Sequence, residues 1–228
     1  MNPKVLYEDN HLLAVDKPFG MPAQGDETGD LSCLDWAKQY IKDKYNKPGE
    51  VFLGLLHRLD RPVGGVILFA RTSKAASRMS EMFRTRTIRK SYLAVTVAIP
   101  NPKSGELRHF LKKLPDKNIM KAYQKFQHAS QEAVTRFEVL ETQDDFALVR
   151  VSPETGRRHQ IRVQMAAAGC GVVGDKKYAV TDFLPDKSIA LLARKLEFPH
   201  PVKKEESIRI IADYPKGYPW ELFREPLT

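Results

Sequence analysis

The sequence predicts a strand-rich α/β (α+β) protein that forms a single domain over residues 1–228. Short apolar runs of strand length are separated by Pro, Gly, Asn and Asp, and amphipathic stripes of helical spacing lie between them. A chain of 228 residues can bury about 70% of its extended surface, so a core forms without disulfides. We find no internal repeat or low-complexity tract in the sequence.

The first half of the chain predicts a hairpin, two helices and two buried strands that flank a polar loop. The hairpin lies in VLYEDNHLLAVDKP, with its turn at Asp9-Asn10. One helix follows Asp30, and Thr72-Ser73 can cap a second helix. VFLGLL and VILFA predict the buried strands, with the loop from His57 to Gly65 between them. Loops held by rigid strands are common places for reactive groups.

The second half predicts further strands and one more helix. RKSYLAVTVAI alternates as a strand does, and the lysine-rich segment from Pro100 to Ala129 is predicted to be a surface excursion or a small subdomain. AVTRFEVLE and FALVRVSP predict a hairpin, and ETGRRHQIRVQMAAAG predicts a loop and a helix that Gly169 ends. SIALLARKLEF and SIRIIADY complete the predicted strands.

Composition favours an anionic partner. Lys and Arg number 37 against 28 Asp and Glu, a formal net charge of +9, which raises the local concentration of polyanions such as nucleic acid. No apolar run approaches the roughly 20 residues of a membrane span. MNPKVLYEDN lacks the basic start and apolar core of a secretory signal. We therefore expect a soluble, cytoplasmic protein without a membrane partner.

The sequence predicts no metal site and no cofactor. Cys33 and Cys170 lie far apart and form no metal-ligand spacing with the six histidines. A disulfide framework is not indicated either, and a reducing compartment is expected. There is no Walker loop and no dinucleotide-binding glycine fingerprint.

Three stretches hold more polar residues than a turn, strand or helix needs. Singly, each has an ordinary explanation: Asp60 as a turn former, Tyr92 as a half-buried strand residue, and Arg162 as part of a solvated helix face. The stretches are His57-Arg58-Leu59-Asp60, Arg89-Lys90-Ser91-Tyr92, and Thr155-Gly156-Arg157-Arg158-His159-Gln160-Ile161-Arg162.

Three segments, in their order along the chain, resemble the RluA-type family of RNA pseudouridine synthases: HRLDRPVGG, RKSYLAV and TGRRHQIRV. The resemblance covers nearly the whole chain. VLYEDNHLLAVDKPFGMPAQ resembles the family's opening, and KLEFPHP its late strand and turn. The resemblance implies a mixed, mostly antiparallel, bent sheet flanked by helices, with the active-site cleft across the sheet. It also implies a member without the N-terminal S4-like accessory RNA-binding domain.

Two positions depart from the family pattern. The family commonly has Thr-Ser-Gly where this chain has Val63-Gly64-Gly65, and commonly a His where Leu192 precedes Ala193. Neither position is the reactive carboxylate, so the departures concern the packing of the loop more than the activity.

The resemblance implies that a uridine base is cut from its ribose, turned over and rejoined through carbon 5. Asp60 is the implied nucleophile, since a fixed carboxylate can stabilise or attack the positive sugar. Arg162 is its implied cationic partner, and Tyr92 lies against the flipped base as a candidate proton acceptor. Arg58 is implied to hold the vacated position. The implied substrate-binding residues are His57, Arg58, Arg157, Arg158, His159 and Gln160.

Two other functions remain open from the sequence. One is a non-catalytic RNA-binding protein that acts in ribosome assembly, although binding alone has no need of a carboxylate facing phosphates. The other is a hydrolase of glycosidic bonds, which usually needs a second carboxylate that no motif supplies here. The partner RNA is expected to be a ribosomal or transfer RNA stem-loop, and the motifs do not encode which uridine is modified. No repeated apolar stripe indicates an obligate partner, so we expect a monomer.

Overall fold

The computed structural model describes residues 2–115, 118–182, 184–203 and 205–226. The chain divides into two compact units, one of Met1–Arg89 with Ala193–Asp213 and one of Lys90–Leu192 with Tyr214–Thr228. That the whole chain folds as a single domain stays a prediction.

The first unit contains two helices and a group of paired strands. The strand order is β1-β2-β4-β10, with β3 also paired to β4 and β11 to β10. The β1-β2, β2-β4, β3-β4 and β10-β11 pairs are antiparallel. Its elements are β1 (Lys4–Glu8), β2 (Leu12–Lys17), α1 (Cys33–Lys44), β3 (Gly54–Leu55), β4 (Gly64–Ala70), α2 (Ser73–Arg84), β10 (Leu191–Pro199), which starts at the boundary, and β11 (Ser207–Ile211).

Local side-chain hydrogen bonds explain where the elements of this unit begin. The Asp9 carboxylate accepts hydrogen bonds from the backbone N–H groups of His11 and Leu12, both at 2.7 Å, which fixes the turn between β1 and β2. Ser32 and Thr72 cap α1 and α2 by accepting from the backbone N–H three residues later. The predicted turn and the Thr72 cap are therefore confirmed.

Strand β4 provides the rigid base on which the HRLDRP loop is built. All seven of its residues are buried, as expected of a central strand with an unbroken apolar run. Gly65 has φ +108°, and a Cβ atom there would lie 2.3 Å from the Ala193 carbonyl oxygen. Only glycine fits such a backbone conformation and so close an approach to β10.

The second unit contains a five-stranded antiparallel arrangement and one helix. Its strand order is β5-β9-β8-β6-β7. A short 3-10 helix follows near the C-terminal end. The elements are β5 (Arg89–Thr96), β6 (Ser104–Lys113), β7 (Met120–Tyr123), β8 (Gln131–Gln143), β9 (Phe146–Pro153), α3 (Gln160–Ala167) and the 3-10 helix Trp220–Leu222.

The mixed α/β fold with a mostly antiparallel sheet is confirmed, but one element prediction was wrong. VFLGLL forms only the two-residue strand β3 instead of a buried strand. The segment from Pro100 to Ala129, predicted to be a surface excursion or a small subdomain, contains β6 and β7. The sequence of β6 is rich in charged residues, and only His109 and Leu111 of this strand are buried. The alternation of apolar and polar residues that predicts a strand is therefore weak in β6. In the described residues, no helix is long and apolar enough to cross a membrane.

Candidate active site

The loop that carries Asp60 spans residues 56–63 between β3 and β4, and we call it the Asp60 loop. Leu59 and Val63 are 6% and 3% exposed and anchor the loop in the core. The Val63 N–H donates to the Asp60 carbonyl oxygen at 3.0 Å, which closes a tight turn. The Asp60 side chain is half-buried and Arg58 is exposed. Two buried apolar residues thus hold the loop in place, and the charged residues Arg58 and Asp60 lie on either side of Leu59.

A buried lysine fastens the Asp60 loop to the segment that follows β2. Lys17 is fully buried, and its ammonium donates to the carbonyl oxygens of Pro18 at 3.0 Å, Met21 at 2.7 Å and Arg61 at 3.2 Å. Burial lowers the pKa of Lys17 to about 8, against the opposing effects of Cys33 and Asp60. The sequence predicted Lys17 and Pro18 only as part of the hairpin VLYEDNHLLAVDKP, so this anchor was missed.

Arg61 ties the same loop to an acidic segment. Its Nε donates to the Gly20 carbonyl oxygen at 3.0 Å, and the Gly20 N–H donates back to the Arg61 carbonyl oxygen at 3.0 Å. The guanidinium also pairs with Asp26, at 3.6 Å, and with Asp30. Both carboxylates are substantially exposed, so these ion pairs contribute little stability compared with the backbone bonds.

His57 shapes the base of the loop. Its Nε2 accepts a hydrogen bond from the Leu68 N–H at 3.1 Å, and its ring lies 5.3 Å from that of Phe83. An Nε2 that accepts carries no proton. This contact holds the HRLD sequence against β4, and direct contact of His57 or the exposed Arg58 with RNA stays a prediction.

The structure gives a physical reason for one departure from the family pattern. A Cβ atom at Gly64 would lie 2.8 Å from the Phe19 ring, closer than two carbon atoms approach without displacement. Gly64 thus leaves room for Phe19, which also stands in the first unit. The second departure, Leu192 in the second unit, is 2% exposed in the core. An apolar residue there needs no hydrogen-bond partner.

In the second unit, Arg162 forms a buried ion pair with Asp175. Arg162 Nε lies 2.7 Å from Asp175 Oδ2 and Nη2 lies 2.8 Å from Oδ1, and the two side chains are 6% and 1% exposed. The Tyr178 ring centroid is 5.2 Å from the guanidinium carbon. This two-point pairing fixes the plane of the guanidinium. Sequence reasoning missed Asp175, and the one available signal was a carboxylate directly after the apolar run Val172-Val173-Gly174.

The entry to α3 is held by His159 and Tyr178. His159 has φ +53° and caps α3 without a side-chain bond to the helix. Its Nδ1 lies 2.6 Å from the Tyr178 hydroxyl, which accepts a hydrogen bond from the Met120 N–H at 2.9 Å. The Tyr178 hydroxyl therefore links α3 to the start of β7.

Gln160 is buried and fully engaged by protein groups. Its Oε1 accepts from the Thr155 hydroxyl at 2.7 Å and from the Arg157 N–H at 2.9 Å, and its Nε2 donates to the Val134 carbonyl oxygen at 3.0 Å and the Thr135 hydroxyl at 2.8 Å. These bonds give Gln160 a structural role. Contact of RNA with His159 or Gln160 stays a prediction, as it does for the neighbouring Arg157 and Arg158.

Tyr92 lies on β5, half-buried and paired with Val151 of β9. Lys90 stands two residues earlier, so its side chain projects from the same face of the strand. The Lys90 ammonium donates to the Thr155 carbonyl oxygen at 3.1 Å. The face of β5 that carries Tyr92 is therefore the face that meets the loop before α3.

The predicted catalytic residues fall in both units. His57, Arg58 and Asp60 belong to the first unit, whereas Tyr92, Arg162 and residues 157–160 belong to the second. The pairing of Asp60 with Arg162 stays a prediction. Groups of His, Cys, Asp and Glu that could hold a metal ion are absent from the residues that the structure describes.

Comparison with known proteins identifies the family. Residues 11–167 match the family model described as RNA pseudouridylate synthase. This stretch contains the Asp60 loop, Tyr92 and the whole of α3. The chain belongs to the RNA pseudouridylate synthase family. The resemblance predicted from the three polar stretches is thereby confirmed.

Individual relatives of the chain have names that agree with this family. The chain is 35% identical over 219 residues to tRNA pseudouridine synthase C of Haemophilus ducreyi, covering 88% of this chain and 87% of that protein. It is 32% identical over 182 residues to ribosomal large subunit pseudouridine synthase C of Rickettsia felis, covering 79% of this chain and 57% of that protein. This chain therefore spans little more than half of the Rickettsia protein.

A solved structure supports the fold. The structure of human RNA pseudouridylate synthase domain containing 4 superposes with a TM-score of 0.77 at 27% sequence identity, and the match covers 93% of this chain and 88% of that one. The fold of this chain is therefore similar to that of the human protein.

Proposed function

We propose that the protein is an RNA pseudouridine synthase, an isomerase that converts uridine in RNA to pseudouridine without a cofactor. The family match over residues 11–167, which includes the Asp60 loop and the whole of α3, carries this proposal. The names of the two bacterial relatives point to transfer RNA and to the RNA of the large ribosomal subunit. We propose ribosomal or transfer RNA as the substrate class, a cytoplasmic location and a monomeric state.

The reaction breaks the bond between a ring nitrogen of uracil and the ribose, and forms a bond from carbon 5 to the same sugar carbon. Carbon 5 loses a proton and the freed nitrogen gains one, so the product is an isomer of the substrate. The sugar becomes electron-poor when the first bond breaks, and an ionised carboxylate can attack it or stabilise its charge. We assign this role to Asp60, which the buried residues Leu59 and Val63 hold in place.

Arg162 is the proposed partner of that carboxylate. A buried carboxylate stays ionised only if a nearby positive charge offsets its loss of hydration. Asp175 holds Arg162 through two hydrogen bonds, so the guanidinium is oriented before substrate arrives. Oriented charges stabilise a transition state without reorganising during the reaction. Tyr92 is the proposed contact for the flipped base and the candidate acceptor of the proton from carbon 5.

We propose that the hairpin of β6 and β7 provides an RNA-binding surface in the second unit. Exposed lysines follow this hairpin and the segment after it, and Phe126 there is 65% exposed. Lysines neutralise phosphates and an exposed aromatic ring can stack on an unpaired base. The residues are Lys113, Lys121, Lys125 and Phe126.

Several basic residues of the first unit have other partners. Arg71 is bound to Glu8 at 3.1 Å, and Arg78 donates to the Pro201 carbonyl oxygen at 3.0 Å. Arg84 binds Glu81 of its own helix. These contacts reduce the capacity of α2 and its flanks to bind phosphates, and they favour the β6–β7 hairpin as the RNA-binding surface.

Tritium release from RNA labelled at carbon 5 of uridine tests the activity directly. We expect release by the wild-type protein and none by Asp60→Asn, which keeps the size of the side chain but removes its charge. Asp43→Asn, at an exposed position of α1, is the matched control and should release tritium at the wild-type rate. RNA binding by Asp60→Asn should stay within about twofold of wild type, because phosphate contacts supply most of the affinity.

Two results would contradict the proposal. Equal release by Asp60→Asn would remove Asp60 from its role, and RNA binding without any release by the wild type would favour the non-catalytic alternative. Release of free uracil in place of pseudouridine would indicate the glycosidic hydrolase. Mapping pseudouridines in RNA from cells with and without the gene then identifies the modified uridine.

A further inference from the structure

A buried hydrogen-bonded network packs α3 against β6 and β8. All five side chains are at most 5% exposed, although each is polar. A buried polar group that lacks a partner is costly, so such a network persists only when its members satisfy one another. We call it the α3 network, and its members are His109, Thr135, Thr155, Gln160 and Gln164.

In this network each donor leads to the next acceptor in turn, and the sequence of bonds fixes which side of the Gln164 amide carries the nitrogen. Gln160 Nε2 donates to the Thr135 hydroxyl, and that hydroxyl donates to Gln164 Oε1 at 2.7 Å. Gln164 Nε2 then faces the carbonyl oxygens of Leu107 at 3.0 Å and Ala133 at 3.1 Å. Carbonyl oxygens only accept, so the nitrogen of Gln164 must be on that side.

The fixed amide determines the protonation of His109. Gln164 Nε2 shares its two hydrogens between these oxygens and His109 Nδ1, which lies 3.2 Å away, and because an amide nitrogen does not accept, Nδ1 carries no proton. A neutral imidazole then has its proton on Nε2, which lies 3.3 Å from Gln124 Nε2, although an amide nitrogen cannot accept that proton. That amide must turn its oxygen to the ring. Burial lowers the pKa of His109, which agrees with a neutral ring.

The network acts on the opposite face of α3 from Arg162. Gln160 and Gln164 are one helical turn apart, whereas Arg162 lies two residues from each, a rotation of about 200°. On its own side, Arg162 is held by Asp175. The helix is thus fixed from both sides, by neutral hydrogen bonds on one face and an ion pair on the other.

We infer that Gln164 and His109 are positioning residues for Arg162, which act by holding the rotation and depth of α3. The inference rests on the proposed function, because it assigns the two residues a part in the same reaction. Neither side chain needs to contact RNA. Loss of either should shift the guanidinium while Asp175 still binds it, so the effect should fall on the chemical step.

The test compares His109→Phe and Gln164→Met with Gln143→Met, which replaces an exposed glutamine of the same unit outside the proposed RNA-binding surface. Single-turnover pseudouridine formation is measured at saturating RNA, together with the Kd for RNA and thermal unfolding. We expect each buried substitution to lower the single-turnover rate about tenfold, since small displacements of a reacting group have large kinetic effects. The Kd should change less than about twofold, because phosphate contacts dominate it. The control should match wild type.

His109→Asn provides the conservative variant. The Asn side-chain oxygen can take the place of Nδ1 as the acceptor for Gln164, so we expect it to recover most of the rate that His109→Phe loses. The double variant His109→Phe/Gln164→Met should be no slower than the slower single variant, because both act through the same helix. Wild-type rates in folded single variants, or losses that multiply in the double variant, would overturn the inference.

Nuclear magnetic resonance of the ring nitrogens of His109 separates this inference from the proposed function. The spectrum of the RNA-free protein should show an unprotonated Nδ1 and a protonated Nε2 at neutral pH. The opposite tautomer or a charged ring would overturn the inference even if the enzyme is active. The expected tautomer in a protein that forms no pseudouridine would instead place the failure in the proposed function.

Discussion

The Asp60 loop and α3 carry the two charged groups on which the proposed reaction depends, but they are held in different ways. The loop is fastened by one buried ammonium, Lys17, which donates to three backbone carbonyl groups. Helix α3 is fastened by several neutral side-chain bonds and one ion pair. A loop can be positioned through its backbone N–H and C=O groups. In the interior of a helix these groups already bond to one another, so a helix is held through its side chains.

The difference predicts where a single substitution is most damaging. Five polar side chains around α3 share the neutral bonds, while the positive charge of Arg162 is paired with the buried carboxylate of Asp175. Charged groups are more costly to leave buried than amides or hydroxyls. The ion pair should therefore be the most sensitive point of the second unit, and Lys17 that of the first.

The largest effect is expected from Asp175→Ala. Removing Asp175 takes away a buried, two-point ion pair of the Arg162 guanidinium, and loss of one partner of a buried pair typically costs about 3 kcal/mol. We expect the free energy of unfolding to fall by about that amount, and tritium release to fall with it. Asp182→Ala, at a fully exposed carboxylate of the same unit, is the control. Equal unfolding midpoints in urea for the two variants would show that Asp175 contributes little to holding α3.

A smaller loss is expected from Lys17→Met, which keeps the length of the side chain without its hydrogen bonds. Three carbonyl groups lose their donor, but removal of a buried charge relieves part of the cost of burial, so we expect a loss of about 2 kcal/mol at pH 7. Stability is measured by urea denaturation. An unchanged midpoint would mean that the Asp60 loop is held by its apolar anchors and by the bonds of His57 and Arg61 without Lys17.

The pH dependence of the stability of wild type and of Lys17→Met provides a second test of the Lys17 contacts. Burial lowers the pKa of Lys17 from 10.5 to about 8. Between these two values the unfolded chain holds the proton more than the folded chain does, so this group makes stability increase as pH rises. The stability of wild type relative to Lys17→Met should therefore increase from pH 8 to 10. A flat difference would indicate that Lys17 titrates as it does in the unfolded chain.

The sequence predicted where the Asp60 loop and α3 lie along the chain, but not the contacts that hold them in the folded protein. Strand β4, the turn at Asp9 and the helix after Gln160 follow from local apolar spacing and turn residues, which neighbouring residues encode. The holding contacts join distant positions: Lys17 meets Arg61 44 residues later, and Gln164 meets His109 55 residues earlier. Such pairs depend on tertiary packing. Asp175 was missed for the same reason, although it is only 13 residues from Arg162.

The smallest effect is expected at Gly64, where the Asp60 loop meets Phe19. Gly64→Ala places a methyl group 2.8 Å from the Phe19 ring, and displacement of that ring should cost about 1 kcal/mol, since overpacking is relieved by a half-buried side chain. Gly25→Ala, where a Cβ atom has no neighbour within 4 Å, is the control. Adding Phe19→Leu should recover the lost stability if the two positions are coupled. Independent, additive losses in the double variant would show that Phe19 does not occupy the space that Gly64 leaves.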